Sequence, residues 1–174
     1  MTNPIIKIHI DGAGPITCEL FPQKAPVTVK HFLELADEGF YNGLIFHQIS
    51  KEFMAQTGGY DTNFVERGRS ETIYGEFAEN GWDKNDIKHE RGVLTMARPL
   101  KNFNGASTQF CVVLGDWPTL DGKYAAFGRI IDGMDLMDII EDQPTGKFGA
   151  DRDVPLTWVI IEKIEICNPN EFSL

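Results

Sequence analysis

The sequence predicts a mostly β protein, an antiparallel barrel or sandwich that carries two helices. Three observations lead there. Ile6, Ile8 and Ile10, then Ile16, Cys18 and Leu20, alternate with their neighbours at the period of a half-buried strand. Turn-forming clusters such as Asp11-Gly12-Ala13-Gly14-Pro15 and Asp121-Gly122 recur between short apolar runs. Helical spacing is confined to two segments.

Taken in order, Ile5–Ile10 and Ile16–Leu20 read as a hairpin across the glycine-rich turn. Pro26 suits the first helical position; Val29, Phe32, Leu33 and Ala36 form one apolar stripe, and Gly39 suits the stop. Further apolar runs lie at 44–49, 53–55, 93–97, 110–114, 125–131 and 158–166. Together they give about seven or eight short strands, the pattern of a barrel or sandwich. A second helix is expected to start at Asp132 as N-cap, with Asp135 in its first turn. Met134, Leu136, Met137 and Ile140 supply its buried side. Residues 60–91 are polar and too long for an ordinary connection. Ile73, Tyr74, Phe77 and Trp82 are dispersed through them, so the segment is expected to cross the barrel partly structured. No repeat or composition break divides the chain, and one domain over residues 1–174 is expected.

Charge and motifs narrow the function. The chain has 16 Lys+Arg against 26 Asp+Glu, a net charge of -10. A phosphate-backbone binder needs clustered basic surface, so no nucleic-acid partner is expected. No run approaches the ~18 apolar residues of a membrane span, so no membrane partner is expected either. The N-terminal residues lack a basic segment and a small-residue cleavage site. Cys18, Cys111 and Cys167 are far apart and form no C-x-x-C pair. They read as small apolar residues of a reducing compartment, and a cytoplasmic location is expected. His9, His31, His47 and His89 are dispersed, without metal-ligand spacing. Asp135, Asp138 and Asp142 read as a solvated helix face. There is no Walker A, dinucleotide fingerprint or G-x-S-x-G. No metal and no cofactor are expected.

One segment stands out: Phe46-His47-Gln48-Ile49-Ser50-Lys51-Glu52-Phe53-Met54-Ala55-Gln56-Thr57-Gly58-Gly59. Patterning makes it two strand-like pieces with a tight connection at 50–52. Strict alternation puts Phe53 and Met54 on opposite faces and Gln56 with Met54. Patterning alone leaves an ordinary core hairpin open.

This block, however, resembles the F-H-R-hydrophobic-x-x-x-F-M-x-Q-x-G block of cyclophilins, peptidyl-prolyl cis-trans isomerases, in their small bacterial branch. Further likenesses follow in order: Ala25–Phe32, Gly39–Gly43, Ile73–Phe77, Arg91–Arg98, Ser107–Phe110, Leu120–Gly128 and Thr145–Pro155. The resemblance implies a closed eight-stranded antiparallel β-barrel capped by two α-helices. It also implies an isomerase that assists protein folding, with proline-containing peptides and unfolded or partly folded proteins as partners. The residues it implicates are Gln48, Phe53 and Gln56 as catalytic. Phe53 and Met54 form the proline pocket, with Phe110, Cys111 and Leu120 on its far wall. Gln56 holds a substrate carbonyl. Ala97, Arg98, Pro99 and Gln109 line the peptide groove, and Tyr124 lies at the pocket edge. His47 belongs to the block, as a packed or hydrogen-bonded support. A monomer is the default.

The sequence departs from the family at three places. Gln48 stands where the family has the arginine credited with donating to the prolyl nitrogen. A charged hydrogen bond is worth ~1.5–3 kcal/mol and a neutral one ~0.5–1.5. The difference, about 1–2 kcal/mol, is roughly 5- to 30-fold in rate. A weakened isomerase is expected, with a non-catalytic proline binder as the alternative; an interaction protein that docks through residues 60–91 is the third reading. Two cations are weighed as substitutes: Lys51, three residues after Gln48, and Arg98, which by the resemblance adjoins the groove. Cys111 replaces a common phenylalanine and widens the pocket. Thr119 replaces the tryptophan of cyclosporin-sensitive members, so weak cyclosporin binding at most is expected. Trp117, two residues earlier, is expected to pack on its own loop.

Overall fold

The computed structural model describes residues 2–169. Ten strands form: β1 (Ile5–Ile10), β2 (Pro15–Leu20), β3 (Leu44–Ser50), β4 (Met54–Asp61), β5 (Val93–Met96), β6 (Phe110–Val113), β7 (Ala126–Asp132), β8 (Thr145–Phe148), β9 (Asp151–Pro155) and β10 (Ile161–Ile166). Eight of them make one antiparallel sheet in the order β10-β1-β2-β7-β5-β6-β4-β3. The sheet curls until its ends meet. Gly43 N–H donates to Ile161 O at 2.8 Å and Phe46 N–H to Val159 O at 3.0 Å. That seam, thinner than the other ladders, nearly closes the barrel that the sequence leads one to expect.

Strand alternation fills the interior. Ile6, Ile8, Cys18, Leu20, Leu94, Phe110, Val112 and Phe127 point inward and are fully or almost fully buried. Helix α1 (Pro26–Asp37) brings Phe32 into this core, where its ring meets Tyr41, Phe110 and Phe127 at centroid distances of 5.2–5.4 Å. Such aromatic contacts add to the area burial that drives the collapse. Helix α2 (Met134–Glu141) contributes Met137 and Ile140.

Helix α1 has Pro26 at its start, but Ala25 at the cap position supplies no side-chain acceptor. The acceptor comes from the 60–91 segment. The Glu76 carboxylate, fully buried, accepts from Val27 N–H at 3.2 Å, Thr28 N–H at 2.7 Å and the Thr28 hydroxyl at 2.7 Å. An anion at a helix N terminus satisfies orphan donors and opposes the positive end of the macrodipole. The segment therefore crosses the barrel as an integral part of it, with Phe77 in the core.

One expectation is corrected. Asp132 ends β7 and does not cap α2; the cap is Gly133, in left-handed conformation at φ 91°. The main chain has to turn sharply from strand to helix there, and glycine does so without a Cβ penalty. Residues 145–155 also form a separate small hairpin, β8–β9, that packs against β3.

Candidate active site

The block at 46–59 becomes the β3–β4 hairpin. Gln48 pairs with Gln56, Gln56 with Cys111 on β6, and Cys111 with Thr95 on β5. Cross-strand partners share a face of a sheet. Thr95, Cys111, Gln56 and Gln48 thus form one row across four strands on the outer surface of the barrel. Ala55 and Thr57, the neighbours of Gln56, are buried on the inner side.

Two adjoining hollows lie beside the Gln56–Cys111–Thr95 part of this row; Gln48 lines neither. One, of about 290 Å³, is lined by Phe53, Met54, Gln56, Cys111, Leu120 and Tyr124. It is mainly apolar, with Gln56, Thr95, Arg98 and Tyr124 as its polar residues, and suits a small hydrophobic ring. The other, of about 310 Å³, lies beside Gln109, Ser107, Pro99 and Arg69 and is more polar. Gln56, Ala97 and Arg98 line both and form the ridge between them.

The ridge is fixed by hydrogen bonds. Gln56 Nε2 donates to Gln109 Oε1 at 2.8 Å, which leaves the Gln56 carbonyl oxygen and one N–H free for a peptide. Gln109 lies flat on β4 because residue 59 is glycine; a Cβ there would collide with the Gln109 amide. Arg98 folds back over the rings of Tyr124, Phe103 and Phe77 at 4.4, 4.8 and 5.1 Å. Its Nη1 donates to Pro99 O and Leu100 O, and its Nη2 to Lys123 O at 2.6 Å. Leu100 is 80% exposed on the resulting strap.

Phe53 does not obey the alternation expected of it. It lies in the turn before β4 begins, after Glu52 at φ 63°, and lines the same hollow as Met54. A left-handed residue in the turn re-aims the side chain that follows. Trp117 buttresses it: the two ring centroids are 5.0 Å apart, edge to face, and the indole N–H donates to Glu52 O at 2.9 Å.

Two residues expected to bind substrate lie elsewhere. Phe110 is fully buried in the barrel core, because it alternates with Cys111 and only one of the two can face outward. His47 lines neither hollow. Its ring packs on Tyr60 at 4.6 Å, and its Nδ1 is buried with no partner among the described residues. Burial pushes its pKa down to about 4, partly opposed by Asp151. The ring is therefore held in its neutral form, without the charge of an imidazolium. Neither weighed cation replaces an arginine at position 48. Lys51 pairs with Asp142 at 2.8 Å, and the Arg98 guanidinium is held by the carbonyls of Pro99, Leu100 and Lys123, its Nε buried without a partner among the described residues. Among the described residues no hydrogen bond holds the Gln48 side chain.

Sequence reasoning missed the polar chain behind the pocket. Asp121 accepts from His89 N–H at 2.7 Å and from its ring Nδ1–H at 3.1 Å. A carboxylate only accepts, so the proton sits on Nδ1, and Nε2 accepts from the Thr95 hydroxyl at 2.9 Å. Burial lowers the His89 pKa, with Asp121 opposing it. Thr95 is 1% exposed, so this Asp-His-Thr chain braces the pocket floor and presents no nucleophile. The only sequence signal was the turn Asp121-Gly122.

Comparison with known proteins agrees with this geometry. The family model described as cyclophilin type peptidyl-prolyl cis-trans isomerase/CLD matches residues 5–166. A peptidyl-prolyl cis-trans isomerase of Acinetobacter baylyi is 38% identical over 98% of this chain and 89% of its own length. Peptidyl-prolyl cis-trans isomerase B of Escherichia coli is 38% identical over 88% of this chain and 94% of its own. A crystal structure of a Cryptosporidium parvum cyclophilin type isomerase superposes with a TM-score of 0.73 at 29% identity, covering 94% of this chain and 97% of that one. The same enzyme in the presence of the dipeptide Ala-Pro gives 0.72 at 30% identity over 93% and 98%. Barrel, outward-facing groove and whole-length relatives converge, and the chain belongs to the cyclophilin-type peptidyl-prolyl cis-trans isomerases.

Proposed function

We propose that this cyclophilin isomerises X-Pro bonds below the rate of an arginine-bearing site, because Gln48 offers the prolyl nitrogen an uncharged donor in place of an arginine. The observation that carries the reading is the apolar hollow beside Gln56 and Cys111, with Gln48 paired to Gln56 on the neighbouring strand. The amide barrier, roughly 18–20 kcal/mol, comes from resonance. No covalent bond breaks. In the twisted state the prolyl nitrogen regains a lone pair, so a donor aimed there acts selectively in the transition state. Phe53, Met54 and Leu120 hold the proline ring. Gln56, set by Gln109, holds the carbonyl side. Ala97, Arg98 and Pro99 flank the extended peptide. Gln48 donates an uncharged N–H. His47 supports β3 from behind.

The same reading makes the clients unfolded or partly folded chains with accessible X-Pro bonds, the enzyme a monomer and the compartment the cytoplasm. Thr119 leaves no indole for cyclosporin, so that drug binds weakly at most.

Exchange NMR on an Ala-Pro-Phe peptide tests the proposal. Wild type accelerates exchange, and Gln48→Arg raises the rate about tenfold, which is ~1.4 kcal/mol at the transition state. A wild type that binds the peptide and leaves exchange unchanged is a proline-binding module instead. The free, unheld Gln48 side chain is the feature that favours this second reading.

A further inference from the structure

The turn at 51–53 is a wall of the proline pocket that lies outside the strand ladder. Glu52 takes a left-handed conformation there, φ 63°, without being glycine. Such a residue is strained and persists only where its surroundings over-determine it. The surroundings are specific. Glu52 N–H donates to Glu141 Oε2 at 2.8 Å. Phe53 N–H donates to Ser50 O at 3.0 Å, and Phe53 O accepts from Leu114 N–H at 2.8 Å. Glu141 is the last residue of α2 and is only 8% exposed. Its other oxygen accepts from Arg91 Nη2 at 2.7 Å, while Arg91 Nη1 donates to Leu114 O at 2.6 Å. Arg91 thus ties the end of α2 to the strand end that holds Phe53 O.

The charge is matched to the task. Burial alone would raise the Glu141 pKa, but Arg91 and the Glu52 N–H outweigh it and hold the carboxyl below the usual range. Asp138, Asp142 and Lys51 are the other charged side chains around the pair. A buried carboxylate that joins an arginine to the main-chain N–H of an exposed turn has no packing role that a leucine would not fill better.

We propose that Glu141, held by Arg91, is a positioning residue that sets the Phe53 ring against the substrate proline from the end of α2. Glu141 touches no substrate; it acts through the Glu52–Phe53 main chain. The proposal rests on the isomerase reading for its kinetic readout.

Phe53 grips the proline ring in the ground state and the twisted state alike. Misplacing it removes uniform binding, which raises KM and leaves kcat unchanged. Loss of folded protein does the reverse: apparent kcat falls and KM stays. Exchange NMR over a range of Ala-Pro-Phe concentrations, with Kd from a peptide titration, separates the two. In Glu141→Ala, KM and Kd rise about fivefold at near wild-type kcat. In Glu141→Gln, which keeps an acceptor for Glu52 N–H, both stay within about twofold. If Glu141→Ala does not fold, Arg91→Met decides, with a two- to threefold rise in Kd. An unchanged Kd in the folded variants, or Glu141→Gln as impaired as Glu141→Ala, overturns the proposal. If wild type does not accelerate exchange, the isomerase reading fails separately, and the Kd series still judges the positioning role.

Discussion

The two sides of the groove are built on different principles. The side made by β3, β4, β6 and β5 is a ladder. Gln48, Gln56, Cys111 and Thr95 stand in a row because their main chains are paired, whatever their side chains are. The facing side is made of loops, the strap after β5 and the stretch from Trp117 to Tyr124. One guanidinium joins them, with donors on Pro99, Leu100 and Lys123 and its plane among three aromatic rings. Backbone-set walls tolerate side-chain change; side-chain-set walls do not. The site tolerates glutamine at position 48 without distortion for the same reason that it would not tolerate losing Arg98.

The sharpest way to break the contrast is Arg98→Ala. It removes three hydrogen bonds and the stacking at once. Hydrogen bonds from a charged donor are worth ~1.5–3 kcal/mol each, less where solvent reaches them. Peptide affinity is expected to fall at least tenfold, with a loss of about 2–3 kcal/mol in chemical denaturation. A Kd within twofold of wild type would show the loop side to be self-supporting.

On the ladder side the weak point is titration. His47 has a folded pKa of about 4, below the ordinary 6.5. Above pH 6.5 the imidazole is neutral in both states and costs nothing. Between 6.5 and 4 the unfolded chain takes a proton that the native site refuses, so stability falls as pH falls. The full shift is worth about 3 kcal/mol; partial exposure of the ring reduces that to roughly 1–2 kcal/mol. Denaturant midpoints at pH 7.5 and 4.5 measure it, and His47→Gln should remove most of the slope. A wild-type slope unchanged in that variant would move the effect to other groups.

A smaller loss follows from Gln109→Leu, which takes the acceptor from Gln56. One neutral hydrogen bond, about 1 kcal/mol, predicts a fivefold fall in kcat/KM with the ladder intact. The smallest effect belongs to Lys51→Ala. Its pair with Asp142 is exposed and screened by solvent, so activity and the denaturation midpoint should be indistinguishable from wild type.

Local signals made much of this legible. Alternation located the first hairpin and the outward face of Met54 and Gln56, and the stripe on α1 was read correctly because helix period and capping residues are local. Phe110 was misplaced although alternation with Cys111 would have sorted it. Phe53 was misread because a left-handed turn residue resets the phase, which no period detects. Glu76, Glu141 and Arg98 were invisible as supports. Each acts on main-chain groups that only the folded chain brings near, and an isolated charged residue in a polar stretch looks like solvated surface.

The distant cap of helix α1 has a consequence for the order of events during synthesis. Thr28 and its carboxylate partner are 48 positions apart. At roughly 5–20 residues per second, the helix leaves the ribosome about 2–10 s before its partner does. Through that interval its first turn can turn its N–H groups only to water, and short helices are marginal in water. The nascent chain therefore commits to this helix late, when the crossing segment arrives, and helix and segment are completed together.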